Sequence, residues 1–198
     1  MTFEALRAAL AARLPATLDV EPLLPHYGGS PGGLRRAAVL VPLFLKDGAP
    51  HLLMTRRAGG LRRHPGQISF PGGLLDSGDA DSLAAALREA KEEVGLDPGR
   101  VEILGRLSET LVVMTGFRLT PWVASVPYPY PYAAAPLEVE EILHVPLDDL
   151  ARPGAHRVER REVYGMEQDV HFYTLGKDTI WGATGRVITE LLSVWKPG

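Results

Sequence analysis

The stretch that decides the fold runs Phe70-Pro-Gly-Gly73-Leu-Leu-Asp-Ser-Gly-Asp79, then Ala80-Asp-Ser-Leu-Ala-Ala-Ala-Leu87, then Arg88-Glu-Ala-Lys-Glu-Glu93. A glycine-rich turn leads into a segment with helical periodicity. Leu83, Leu87, Ala90 and Val94 recur at the spacing of one buried stripe, so the pattern predicts a helix over 82–94. At about 100° per residue, Glu89, Glu92 and Glu93 are expected on the side of the wheel away from that stripe. Glu89 and Glu93 lie one helical turn apart, with Cβ atoms about 5–6 Å from each other. Two carboxylates at that distance repel unless a cation lies between them. A hard divalent ion, Mg²⁺ or Mn²⁺, takes oxygen ligands of this kind. The three acids also occupy the last turns of the helix, against its dipole. For an arbitrary helix, a solvated acidic face paired to Arg88 and Lys91 would be the ordinary explanation. The glycine turn beside this helix favours a metal held against a phosphate-bearing substrate, and so hydrolysis of a phosphoanhydride.

The run Arg88-Glu-Ala-Lys-Glu-Glu-Val-Gly95-Leu96 resembles the second half of a Nudix box, G-x5-E-x7-R-E-U-x-E-E-x-G-U with U aliphatic. The arginine, the three glutamates and the late glycine match, and Ala90 is a small residue at the first U. The first half departs from the pattern. Counted from Gly73, the acid position falls on Asp79, with one residue too many before Arg88; counted back from Arg88 it falls on Ala80. The longer spacing resembles that of a Nudix subfamily that hydrolyses coenzyme A (CoA). That subfamily also carries an upstream pattern, L-L-T-x-R-[SA]-x3-R-x3-G-x3-F-P-G-G. The chain reads Leu53-Met-Thr-Arg-Arg57-Ala58, then Arg62, Gly66 and Phe70-Pro-Gly-Gly73. Met54 alone departs, and methionine for leucine is close to volume-neutral.

The resemblance implies an α/β (α+β) fold, an α/β/α sandwich on a mixed sheet, with divalent-metal catalysis. It implies cleavage of CoA to phosphopantetheine and adenosine 3′,5′-bisphosphate. Another nucleoside diphosphate derivative, such as ADP-ribose, NADH or a dinucleoside polyphosphate, is the nearest rival substrate. A nucleotide sensor that does not cleave is a more distant alternative, because a sensor is expected to have lost glutamates that this chain retains.

Under that resemblance Glu89 and Glu93 are the principal metal ligands. Glu92 completes the set or accepts the proton of the attacking water, and Asp79 holds a metal-bound water. Glu138 or Glu140 is the reserve base. Arg88 is expected to pin carboxylates and carbonyls by forked hydrogen bonds. Gly72 and Gly73 would let the backbone approach metal and phosphate. Arg56, Arg57, Arg62 and Arg63 form the densest basic cluster of the chain. CoA carries a diphosphate and a 3′-phosphate, which suits arginine; Arg57 and Arg62 match the upstream pattern and carry the expectation, with Arg56 beside them. His64 is a lesser phosphate candidate. Phe70 is assigned to the core, and Phe117 and Trp122 either to the core or to stacking on adenine.

Composition bounds the rest. The 198 residues suffice for one domain, 1–198, with a substantial core. A hydrophobic content of 45% with mixed charge reads as soluble and globular. The net charge of −3 argues against a general nucleic-acid binder. With no cysteine, the chain has no disulfides, thiolate zinc sites or thiol nucleophiles, which fits the cytoplasm. No apolar run approaches the roughly 20 residues that span a membrane, and the start lacks the pattern of a signal peptide. The implied partner is a small-molecule nucleotide; oligomeric state is not legible.

Along the chain, Phe3, Leu6, Leu10 and Leu14 suggest an amphipathic helix over about 2–14. Residues 23–33 read as a loop. Residues 37–45 and 51–56 read as the strands of a hairpin turned at Lys46-Asp-Gly48. Further strands are expected over 101–107 and 119–126, an extended Pro-Tyr loop over 127–136, and a strand leading to a short helix over 138–147. A strand pair is expected within 163–175 and a helix over 183–195.

Overall fold

The structure is a computed structural model that describes residues 1–13, 15–17, 34–61, 64–112, 116–163 and 166–195, without the side chains of Val163 and Met166. Leu14, the 23–33 loop, Arg62 and Arg63 therefore lie outside the described residues.

A long apolar strand, β1 (Arg35–Lys46), organises the molecule. It turns through Asp47 (φ 52°) and Gly48 (φ 77°) into β2 (Ala49–Arg57), with Lys46 opposite Ala49. Two successive positive φ values make the tight hairpin turn whose twist matches that of the flanking strands. The chain then adds β3 (Ile68–Ser69) against β2 and β4 (Gly72–Leu74) against the first part of β1. After α2 (Ser82–Val94) come β5 (Glu102–Arg106), β6 (Thr110–Val112) and β7 (Phe117–Ser125). Strand β7 runs parallel to β1, while β5 and β6 are antiparallel to β7. Strand β8 (Val139–Pro146) pairs antiparallel with β2, and the short α3 (Leu147–Ala151) follows it. One parallel pairing among antiparallel ones makes the sheet mixed.

Alternation along β1 gives the sheet two covered faces. Ala38, Leu40 and Phe44 pack with Ala85, Ala86, Ala90 and Val94 of α2. Val41 and Leu43 face the other way. They pack with Leu6 and Leu10 of α1 (Phe3–Ala11), Leu147 and Leu150 of α3, and Val187, Ile188 and Leu191 of α4 (Gly182–Val194). The result is an α/β/α sandwich. A second, three-stranded sheet of β9 (His156–Val163), β10 (Met166–Leu175) and β11 (Asp178–Trp181) leads into α4. Among the described residues, no helix is long and apolar enough to cross a membrane.

Two expectations need correction. The strand pair anticipated within 163–175 is β9 with β10, so its first strand starts at His156, and β11 adds a third. Charged residues such as Arg157, Glu159 and Arg161 hide the alternation of β9. The buried stripe of α2 is Ser82, Ala85, Ala86, Ala90, Glu93 and Val94, rotated from the Leu83–Leu87 line. Alanines are small enough to let the helix backbone approach the sheet, and Leu87 packs at the flank. That rotation carries Glu93 inside.

Candidate active site

Helix α2 starts on Asp81, whose side chain accepts the Ala84 N–H at 2.9 Å, and ends on Gly95 in the left-handed conformation. Its acidic turns lie over β4. Gly72 pairs with Val39 at a φ of 155°, and a side chain there would strike the Ala38 carbonyl and Val39 backbone. A Cβ at Gly73 would strike the Glu89 carboxylate. The two glycines thus clear the ground on which Glu89 and Glu93 rest.

Glu93 is 3% exposed, and its Oε2 accepts the Gly72 N–H at 3.2 Å. Burial pushes its carboxyl up to about 7, opposed by the Gly72 hydrogen bond and the Arg57 charge and reinforced by the charges of Glu89 and Glu138. Burial also raises Glu89, with Glu92 and Glu138 adding to the shift and Arg88 opposing it. Glu92 lies on the side away from the sheet, as its place on the wheel predicts: its side chain is 59% exposed and pairs with Arg88 Nη1 at 3.0 Å. Three glutamates close in sequence thus occupy three environments.

Arg88 uses its guanidinium fully. Nε and Nη2 donate to the two Asp79 oxygens at 3.1 and 3.0 Å, and Nη2 also donates to Leu74 O at 3.0 Å. Nη1 donates to Glu89 at 2.9 Å and to Glu92 at 3.0 Å. Those are five bonds for five N–H donors. They fasten the helix to β4 and to the turn before it. Asp79 is correspondingly committed: Arg88 first, then the Asp76 N–H, holds its carboxyl below the usual range. Both its oxygens face the guanidinium, where the sequence offered it as the holder of a metal-bound water.

The basic cluster also separates in space. Arg56 forks onto Asp178 of β11 at 3.1 and 3.0 Å and pairs with Glu141 of β8 at 3.0 Å. These carboxylates raise its already high pKa. Arg56 thus ties the second sheet to the first, where the sequence offered it as a phosphate ligand. Its neighbour Arg57 feels the opposite environment. It is near enough to Glu93 to stabilise that carboxylate, and its Nε is buried with no hydrogen-bond partner among the described residues. Adjacent residues on a strand point to opposite faces, so the dipeptide serves both sides of the sheet.

Glu138 precedes β8, and its charge reaches both Glu89 and Glu93. The pairing of β2 with β8 shifts between Arg56 and Arg57, opposite Glu141 and Val139, and skips Glu140, which is exposed. Glu140 is not among the charges acting on Glu89 or Glu93, unlike its alternative Glu138. Trp122 lies on the α2 face and donates from Nε1 to Ser82 Oγ at 3.1 Å; the Arg35 guanidinium covers Phe117 at 4.6 Å; Phe70 is in the core. His64 is half-buried at a φ of 55°. Sequence reasoning missed Asp178 and Glu141, which capture Arg56, and the backbone of residues 133–135, which takes carbonyls at the end of α2. The glycine at position 95 was the available signal for the latter, since a terminated helix leaves carbonyls in need of donors.

Among the described residues, no three acidic or histidine side chains already stand as a metal centre. The donor set nevertheless fits a divalent cation. Glu89 and Glu93 rest on the same glycine pair, both are shifted upward by burial and like charge, and among the described residues Glu93 has one neutral hydrogen-bond donor. A hard cation would relieve this deficit of positive charge.

A NUDIX domain model matches residues 34–164. The chain is 42% identical over 160 residues to an uncharacterized Nudix hydrolase NudL of Enterobacter sp. strain 638, covering 79% of this chain and 81% of that protein. It is 40% identical over 185 residues to the NudL protein of Cronobacter sakazakii, covering 89% and 94%. A crystal structure of a MutT/nudix family protein from Enterococcus faecalis superposes with a TM-score of 0.57 at 18% identity, covering 89% of this chain and 69% of that one, which supports the fold. The chain belongs to the Nudix hydrolase family, enzymes that act on phosphoanhydride bonds and generally use divalent metal ions.

Proposed function

We propose that the protein hydrolyses the diphosphate of CoA, adding water to release 4′-phosphopantetheine and adenosine 3′,5′-bisphosphate. The observation that carries this reading is the upstream Leu53–Gly73 pattern in register with the glutamate helix, with Arg57 of that pattern lying beside Glu93. Among the described residues the buried Arg57 Nε has no acceptor, which suits a donor meant for a phosphate oxygen. Arg62, the other patterned arginine, lies outside the described residues.

Glu89 and Glu93 would hold Mg²⁺ or Mn²⁺. Such an ion neutralises the diphosphate and makes water a stronger acid. The chain's own groups do the rest. Gly72 and Gly73 bring backbone to the carboxylates without a side chain between. Arg88 and Asp79 fix the helix against β4. Glu138 takes the proton of the attacking water on its carboxylate. Glu92, largely exposed and paired with Arg88, becomes the reserve, reversing the order the sequence suggested. The whole chain would act as one catalytic domain on a small nucleotide in the cytoplasm.

The test is a turnover assay with Mg²⁺ or Mn²⁺ and mass analysis of products, offering CoA, 3′-dephospho-CoA, ADP-ribose, NADH and a dinucleoside polyphosphate side by side. Preferred cleavage of CoA, with dephospho-CoA much poorer, is the expected result. A preference for ADP-ribose or NADH would keep the helix chemistry and sink the CoA assignment.

A further inference from the structure

The last carbonyls of a helix need donors from elsewhere. In α2 they come from the Pro-Tyr loop. The Ala133 N–H donates to Val94 O at 3.0 Å, and the Ala135 N–H donates to Glu93 O at 2.9 Å. The Tyr130 hydroxyl donates to Gly95 O at 3.2 Å and accepts the Asp97 N–H at 3.0 Å. Its ring lies 4.8 Å from that of Tyr132, whose hydroxyl donates to Pro127 O at 2.8 Å. One end of the loop is therefore fastened to the backbone of Glu93 and of the turn that follows it.

The other end carries Glu138. The Glu138 N–H donates to Ala135 O at 3.0 Å, and Glu138 O accepts the Ala58 N–H at 2.9 Å, next to Arg57. Two residues, Pro136 and Leu137, separate Ala135, bound to the Glu93 carbonyl, from Glu138, whose charge reaches Glu89 and Glu93.

We propose that the 127–138 loop sets the position of Glu138 relative to Glu89 and Glu93, and that Tyr130 is the positioning residue that anchors it to the end of α2. The assignment rests on the reading of Glu138 as acceptor of the water's proton. Tyr130 touches none of the reacting groups. It acts by holding the loop on Gly95 and Asp97, and a misplacement of about 1 Å can cost up to roughly 100-fold in rate.

Tyr130→Phe keeps the ring and removes the hydroxyl. The expected result is a kcat lowered roughly tenfold, a KM within about twofold, and a Tm within about 3 °C of wild type. In a Glu138→Gln background the same change should cost nothing further, because the group being positioned is already disabled. Unchanged kcat in Tyr130→Phe would overturn the proposal. So would an equal fold-loss in both backgrounds, which would mean that Tyr130 acts through the helix alone. Full activity of Glu138→Gln would remove both the proton acceptor and its positioning. The kinetics are read on whichever of the five offered substrates turns over fastest. A preference for ADP-ribose would therefore end the CoA assignment and leave this test intact.

Discussion

On one face of the central sheet, α2 buries Glu93 beside Glu89, with Arg57 close by. On the other, α1, α3 and α4 bury Leu6, Leu10, Leu147, Leu150, Ile188 and Leu191. Charge on that side stays at the rim, in pairs such as Arg56–Asp178 and Arg13–Glu190. Glu93 is the single acidic or basic residue among the described buried ones. A buried carboxylate with one neutral donor costs stability. The apolar face makes the molecule stable, while the α2 face holds charge at the expense of stability.

Replacing Glu93 tests this most severely. Glu93→Gln should lower kcat at least about 100-fold with an unchanged circular dichroism spectrum. In metal-free protein the same change should stabilise. The folded-state pKa of Glu93 is raised from 4.5 to about 7. The protonated carboxyl therefore favours the folded state, fully below pH 4.5, and that advantage is lost as pH rises through about 7. The loss is on the order of 3 kcal/mol. Metal-free wild type should melt progressively lower between pH 5 and 8, while the Gln variant stays flatter; Mg²⁺ should raise the wild-type Tm at pH 8 far more than the variant's. Parallel pH profiles would show that Glu93 carries no such burden.

Two glycine-to-alanine changes give the next contrast. A Cβ at Gly73 meets the Glu89 carboxylate, the movable end of a flexible side chain, whereas a Cβ at Gly185 of α4 meets the backbone carbonyl of His171. Gly73→Ala should therefore lower kcat roughly tenfold or more and change stability by less than about 1 kcal/mol. Gly185→Ala should cost about 1–3 kcal/mol in denaturant unfolding and leave kcat per folded molecule unchanged. If both variants lose activity and stability together, the division of labour between the faces fails.

What was legible in the sequence follows the range of the interactions. The Asp47-Gly48 turn, the helix at 82–94 and the strand-to-helix passage ending in Leu147 are local, and their residues announce them. The phase of α2 was not legible, because Ala85 and Ala86 are weakly hydrophobic and yet touch the sheet, while Leu83 and Leu87 flank it. Neither was the fate of the basic cluster. Asp178 lies 122 residues from Arg56, and no local pattern links them.

That pair of arginines supplies the smallest and most discriminating effect. Arg56→Ala removes a fork on Asp178 and a bond to Glu141, at a partly exposed site, so it should cost about 1 kcal/mol and leave the KM for CoA within about twofold. Arg57→Ala should do the reverse: little change in denaturant midpoint, with KM raised roughly tenfold if its Nε meets a phosphate oxygen, the scale of one charge-assisted hydrogen bond. The two residues are neighbours with the same charge, so a general electrostatic attraction for an anionic substrate would affect KM equally in both variants and would fall away with added salt. A KM shift confined to Arg57 and persistent in salt would instead reflect the alternation of β2. It places one guanidinium near the buried Glu93 and the other in the joint between the two sheets.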